Sequence, residues 1–355
     1  MASLKNTTIN DTGFIQTASG TTAERPSPTN GMTRYNSTTG CLEIYNSATA
    51  TWNCLSDNSY NVELLLVGGG GSGGASAGAN GGGGGGGGGV VYISSFTISG
   101  STSYSLVVGA GSPGVQNYQF GTGTRNLSPF GSMLSRGGDT TGFGYTAFGG
   151  GNGCGAGSNA ATQGGSGGGS RRDFMSGAAT SITTGQGNSG GNADRNSCGS
   201  AGGGGGAGAA GSSGCGDCTN AVPFSSCSKG GDGVLYNWLG DLTYYGAGGG
   251  GSFASFYYFD SNIQSLPPLG GRTGGGRGAL SWVDNFARSV APAENGIQNT
   301  GGGGGGGIYV YSGGAGGSGI IMIRYPGPPI GTGGDVIQNG GFTVHVFRGS
   351  GTFIG

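Results

Sequence analysis

Charge is scarce in this chain. Lys, Arg, Asp and Glu together make up 8% of the 355 residues, and 14 basic side chains nearly cancel 15 acidic ones to leave a net charge of −1. Binding to a nucleic-acid backbone needs a cationic stripe that displaces counterions, and so few dispersed charges cannot assemble one. Histidine is scarcer still, since His345 is the only one. A Ser-His-Asp relay or a histidine metal site would have to be built on that single ring, which stands in the alternating segment Phe342–Phe347, so a structural role is expected. The two lysines, Lys5 and Lys229, lack the G-K-[ST] context of a phosphate loop. No run of about 20 apolar residues occurs, which argues against a membrane-crossing helix and against membrane insertion. No catalytic, metal or cofactor site is expected, and the chain is not expected to be an enzyme.

Proline is also sparse, and its scarcity decides how the most abundant residue is read. Glycine supplies 94 of 355 residues, but it comes in blocks and is accompanied by only 11 prolines. Collagen needs glycine at every third position and abundant proline, so it is excluded. A flexible linker would be Gly/Ser-rich throughout, whereas these blocks alternate with apolar, β-branched and aromatic segments. The remaining reading is a set of polyproline-II-type extended helices. Without Cβ atoms, neighbouring backbones can approach until amide and Cα–H···O contacts replace a side-chain core. The nine residues Gly81–Gly89 would then span about 28 Å at about 3.1 Å per residue.

The sequence divides into a glycine-poor segment, 1–57, and a glycine-rich body, 58–355. In the first, Thr33–Asn36, Cys41–Tyr45 and Thr51–Leu55 alternate apolar and polar residues around short polar turns, which predicts a three-stranded meander. A meander of that size is too small to be stable alone, so this module is expected to oligomerise or to dock on a partner. In the body, Val62–Val67, Val90–Ile98, Tyr104–Val108 and Gly319–Tyr325 read as strands. Phe342–Phe347 and Gly351–Ile354 are expected to form a final hairpin around Arg348–Ser350, and the late strands to pair with the early ones. The fold class is therefore mainly β with packed polyglycine helices, carrying long loops.

Little chemistry offers itself in the loops. Gly68, Gly70 and Gly73 fit G-x-G-x-x-G after an apolar strand, but in a glycine-rich chain that spacing arises by chance, and no amphipathic helix follows to receive a pyrophosphate. Asp139, Asp173, Asp194, Asp217 and Asp260 lie in loops, and a depolymerase would need two of them paired. The seven cysteines are an odd number, which argues against a complete disulfide framework at synthesis. Cys41 and Cys54 flank two expected strands and could be bridged after release from the cell. Cys198, Cys215, Cys218 and Cys227 could staple a loop, and Cys215-Gly-Asp-Cys218 lacks the second pair of a zinc site. The aromatic stretches remain: Tyr236, Trp238, Tyr244 and Tyr245, then Phe256, Tyr257 and Tyr258, then Trp282. They suit either a sugar- or protein-binding surface or packing against the sides of a glycine core.

Two stretches carry a family resemblance. Gly20–Gly40, with Arg25-Pro26, Gly31 and Arg34-Tyr35-Asn36, followed by Glu43-Ile44-Tyr45, resembles a short module of tail-fibre and other virion proteins of phages. The alternation of strand and polyglycine in Val62–Gly111, with Gly319–Tyr325 and Phe342–Phe353, resembles the glycine-rich domain of phage tail proteins. In that family the counterpart of Phe342–Phe353 precedes the first apolar strand, whereas here it ends the chain. A looser similarity is to the tip adhesins of T-even-like phages. The resemblance implies a virion protein made in the host cytoplasm and exposed after lysis, which fits an N-terminus without a secretory apolar stretch. It also implies other virion proteins as partners, a homo-oligomer with a trimer favoured, and a host polysaccharide or outer-membrane protein as receptor. A purely structural head fibre, decoration or tail accessory protein is the alternative.

Overall fold

The computed structural model describes residues 17–55, 59–75, 81–115, 136–155, 160–171, 179–182, 185–194, 200–215, 227–254, 269–272, 274–283, 288–308 and 312–355. It is mainly β, with several open sheets and, among the described residues, a single short 3-10 helix at Thr22–Glu24. Two compact units are present: Met1–Tyr60 with Thr97–Thr102 and Gly355, and Asn61–Phe96 with Ser103–Ile354.

In the first unit, Thr33–Asn36, Cys41–Asn46 and Thr51–Cys54 form the antiparallel meander, and Ser19–Gly20 adds a short parallel edge against Thr33–Asn36. Cys41 and Cys54 are joined by a disulfide with their Cα atoms 5.7 Å apart. Three residues of the sequence motif converge on the buried carboxylate of the fourth, Glu43. Arg25 donates to both Glu43 oxygens, at 3.2 and 2.7 Å, Asn36 donates to Oε2 at 3.0 Å, and the Arg34 guanidinium lies 3.8 Å away. The Arg25 hydrogen bonds hold the Glu43 carboxyl below the usual carboxylate range, against the opposing effect of burial.

The second unit is built on a five-stranded sheet ordered Asp335–Asn339, Phe342–Phe347, Ile320–Pro326, Tyr60–Val67, Val90–Ile98. Ile320–Pro326 runs antiparallel to both its neighbours, with Ile323 opposite His345 on one side and Leu64 on the other. Both faces are covered, which is why Leu64, Leu65, Leu66 and Val67 are all buried and the strand reads as a continuous apolar run. One face carries Leu65, Val67, Ile320, Met322, Val344 and Val346 under Trp238 and Tyr245. On the other, His345 meets the Phe353 ring edge-on, and Phe353 lies in an aromatic group with Tyr104 and Phe143.

The expected final hairpin is corrected. Phe342–Phe347 turns back on Asp335–Asn339, a strand absent from the sequence reading, through Gly340 and Gly341 at φ 58° and 83°. Two consecutive left-handed residues make the tight turn whose twist matches a hairpin, and only glycine adopts them without strain. Gly351–Ile354 instead crosses to pair with Ser103–Leu106 in a separate two-stranded sheet.

From Val67 and Val90 the main chain leaves the sheet and enters an array of glycine segments. Thr140 stands at this border, donating to Val67 O at 2.7 Å and accepting from Gly109 N at 2.9 Å. Gly81–Gly89 lies at the centre of the array. Its amides at Gly82, Gly85 and Gly88 donate to Gly307, Gly304 and Gly301; those at Gly83, Gly86 and Gly89 to Cys154, Gly151 and Phe148; those at Gly84 and Gly87 to Gly202 and Gly205. Its carbonyls accept from Gly68, Gly71 and Gly74, from Ser166 and Gly169, and from Gly249 and Ser252. All fifteen bonds measure 2.7–3.0 Å, and each of the six neighbours is met at every third residue. The spacing forbids side chains: a Cβ on Gly84 would lie 2.0 Å from Gly249 O. Gly68, Gly70 and Gly73 belong to this array, so the dinucleotide-like spacing serves main-chain packing.

Candidate functional site

The richest cluster of chemistry-bearing side chains in the second unit sits on the sheet face toward Trp238. It starts from a charge in each of two apolar strands, Glu63 in Tyr60–Val67 and Arg324 in Ile320–Pro326, which the register places directly opposite one another. Arg324 donates through Nε and Nη2 to Glu63 Oε1 at 3.1 and 2.6 Å, and through Nη2 to Oε2 at 2.8 Å. Its guanidinium carbon lies 4.5 Å from the Trp238 ring centroid and 4.7 Å from that of Phe342, positions that add cation–π attraction to the ion pair. Asn339 Nδ2 reaches Trp238 O at 3.3 Å, fixing the loop that carries the indole.

Tyr92, on the neighbouring outer strand, completes the cluster. Its hydroxyl donates to Glu63 Oε2 at 2.7 Å, and its ring lies 5.9 Å from Tyr236 and 6.2 Å, edge-on, from Trp238. The Glu63 carboxylate, helped by partial burial, pushes the Tyr92 phenol above its ordinary range. Burial does the same for Tyr236 and Tyr245. All these phenols therefore stay protonated at neutral pH and serve as donors, acceptors and ring surfaces.

The aromatic residues singled out from sequence fall into three groups. Tyr236, Trp238, Tyr244 and Tyr245 share the hairpin of Val234–Tyr236 with Thr243–Tyr245. Within it Trp238 (5% exposed) and Tyr245 (2%) are buried in the core, Tyr236 is half-buried beside Tyr92, and Tyr244 faces away to receive Arg272 Nη1 at 3.5 Å. Trp282 lies in Leu280–Val283, where its backbone is paired opposite Ser289. Phe256, Tyr257 and Tyr258 lie outside the described residues. Tyr92, Glu63, Arg324 and Phe342 were missed, although one signal was readable: each of two strands otherwise apolar carries a lone charge, and the two are opposite in sign.

Of the remaining polar candidates, His345 and Asp139 have structural partners, whereas Asp173, Asp217 and Asp260 lie outside the described residues. His345 is fully buried; its Nδ1–H donates to Gly333 O at 2.7 Å, so Nε2 is the acceptor facing the Tyr325 hydroxyl at 2.8 Å. That hydroxyl oxygen accepts the amides of Ile330 and Gly331. Burial lowers the His345 pKa and keeps the ring neutral. Asp139 binds Arg136 at 2.6 and 2.8 Å and Gly149 N at 2.8 Å. Cys215 and Cys227 form a second disulfide, while Cys198 and Cys218 lie outside the described residues. Among the described residues no group of three or more His, Cys, Asp or Glu could hold a metal ion, and no helix is long and apolar enough to cross a membrane.

No curated protein and no solved structure matches this chain. Residues 46–326 match the glycine-rich domain family, a span that covers both the glycine array and the ion pair, and the chain belongs to that family.

Proposed function

We propose that this chain is a phage virion fibre protein whose glycine segments pack as polyproline-II-type helices and whose aromatic and polar loops bind a receptor on the host surface. The observation that carries the reading is the hydrogen bonding of Gly81–Gly89, which returns to each of six neighbours every third residue. That is the period of a threefold extended helix, and none of these glycines adopts a left-handed φ. Such an array leaves little room for side chains inside it, and the bulky residues lie on the segments between its glycine blocks. A close-packed scaffold with few charges that carries long intervening segments suits a particle appendage. The motif of Arg25, Arg34, Asn36 and Glu43, knit into one buried cluster, supports an N-terminal module that attaches to other virion proteins or trimerises. Several copies per particle would multiply weak contacts with a host polysaccharide or outer-membrane protein.

The burial of Trp238 and Tyr245 favours a second reading for that hairpin, a purely structural fibre, decoration or tail accessory protein. Electron cryomicroscopy of particles combined with competition by the purified full-length chain separates the two. A distal tail position and dose-dependent blocking of adsorption are expected for the adhesin. A capsid or shaft position with no competition supports the structural reading, and absence from the particle rejects both.

A further inference from the structure

Tyr92 is 44% exposed, yet it is held in place at both ends. Its ring rests against Tyr236 and the edge of Trp238, and its hydroxyl proton goes to Glu63, which Arg324 immobilises in turn. An exposed aromatic side chain ordinarily loses rotamer freedom when a ligand covers it, and here that ordering precedes binding. Two hydrogen-bonding positions of the same network are unspent. The Tyr92 oxygen donates to Glu63 and keeps lone pairs that can accept. Arg324 spends Nε and Nη2 on Glu63, and its Nη1 has no acceptor among the described residues. An exposed aromatic ring thus belongs to the same hydrogen-bonded network as one acceptor and one charged donor.

A pyranose ring has the matching pattern: one face of C–H groups and a rim of hydroxyls that both donate and accept. The geometry points to a saccharide subsite on this ledge, in which a neutral hexopyranose lays its C–H face on the Tyr92 ring. One of its hydroxyls donates to Tyr92 Oη, and another oxygen of the sugar accepts from Arg324 Nη1. Neutral sugars are specified because the Glu63 and Arg324 charges cancel, so the ledge offers no net charge to an ionised sugar. The subsite rests on the adhesin reading and names the class of receptor it recognises.

The test uses the folded full-length chain with glucose, galactose and mannose as probes, followed by saturation-transfer NMR and by Trp238-sensitive fluorescence. Saturable binding of at least one of the three is expected. Tyr92→Ala should weaken it more than about tenfold, and Tyr92→Phe, which keeps the ring and loses the acceptor, by about two- to tenfold. The Phe variant keeps the test readable should the Ala variant fail to fold. Lack of saturable signal from all three sugars, or equal binding by wild type and both variants, overturns the subsite. Attachment of the chain to the cells that its particle infects is measured in parallel. Attachment unchanged in Tyr92→Ala sinks the subsite and leaves the adhesin standing, whereas sugar binding without any attachment upholds the subsite and removes the adhesin.

Discussion

Gly85 and Gly304 meet through main chain alone, the amide of one donating to the carbonyl of the other at 2.8 Å from distant parts of the sequence. Gly85 O in turn accepts from Gly249 N at 2.8 Å. Each peptide unit here is paired as it would be in a sheet, but with neighbours on several sides. A buried amide left without a partner costs about 1–3 kcal/mol, so the saturation of these bonds, and not apolar burial, decides whether the array holds.

Adding one methyl group at the centre should therefore be far more damaging than its volume suggests. The Gly84 Cβ position lies 2.0 Å from a carbonyl oxygen of Gly249 and 2.8 Å from Gly204 N, both main-chain atoms that cannot step aside. Gly84→Ala is expected to destabilise the body by more than about 4 kcal/mol or to prevent folding. Gly349→Ala, where nothing lies within 4 Å, should change urea-unfolding stability by less than about 0.5 kcal/mol. Similar stabilities for the two variants would contradict close packing at Gly84.

The Glu43 cluster makes the first unit sensitive to acid. Its folded-state pKa is lowered by the Arg25 hydrogen bonds. The stabilisation is thus complete above the unfolded carboxyl pKa of about 4.3 and is lost as pH falls through the lower folded value. Glu43→Gln leaves Arg25 and Arg34 without their buried counter-charge and should cost about 3 kcal/mol at pH 7, with the deficit shrinking toward pH 3. Amide exchange of the Thr33–Asn36 strand at pH 7 and at low pH, referred to intrinsic rates, reads the difference; a deficit independent of pH would contradict the assignment.

His345 works in the other part of the pH range. Its folded-state pKa is depressed by burial, so the folded ring stays neutral while the unfolded one gains a proton below about 6.5. Stability should hold above that pH and decline from pH 7 to 5. His345→Gln should be less stable at pH 7, having lost a matched acceptor for Tyr325, yet flatter across that interval. A wild-type profile as flat as the variant's would show the ring to be protonated in the folded state.

Much of the sheet was legible because its strands are apolar, β-branched and bounded by glycine. The Asp335–Asn339 strand was not, since its residues are mostly solvent-facing and its pattern is set by the Gly340-Gly341 turn rather than by burial. Similarly, Gly351–Ile354 resembles a hairpin partner for Phe342–Phe347 in sequence, and only the competing partners Asp335–Asn339 and Ser103–Leu106 redirect it. The aromatic hairpin was visible as composition, but aromatic content does not say which rings are covered. Trp238 became core because Arg324 and the sheet lie beneath it, and Tyr92 stayed exposed because it stands on the outer strand. The motif residues Arg25, Arg34, Asn36 and Glu43 were legible as a set, while their convergence on a single carboxylate needed the register of Thr33–Asn36 against Cys41–Asn46.

Hydrogen exchange resolved to the 81–89 stretch of the full-length chain probes most directly whether bare main chain forms the interior. With donors at Gly82 through Gly89 all bonded, these amides should exchange only through global unfolding, as slowly as those of Leu64–Leu66 in the sheet. Exchange at the rate of an unstructured glycine peptide, while the sheet stays protected, would mean that the array does not exist in solution.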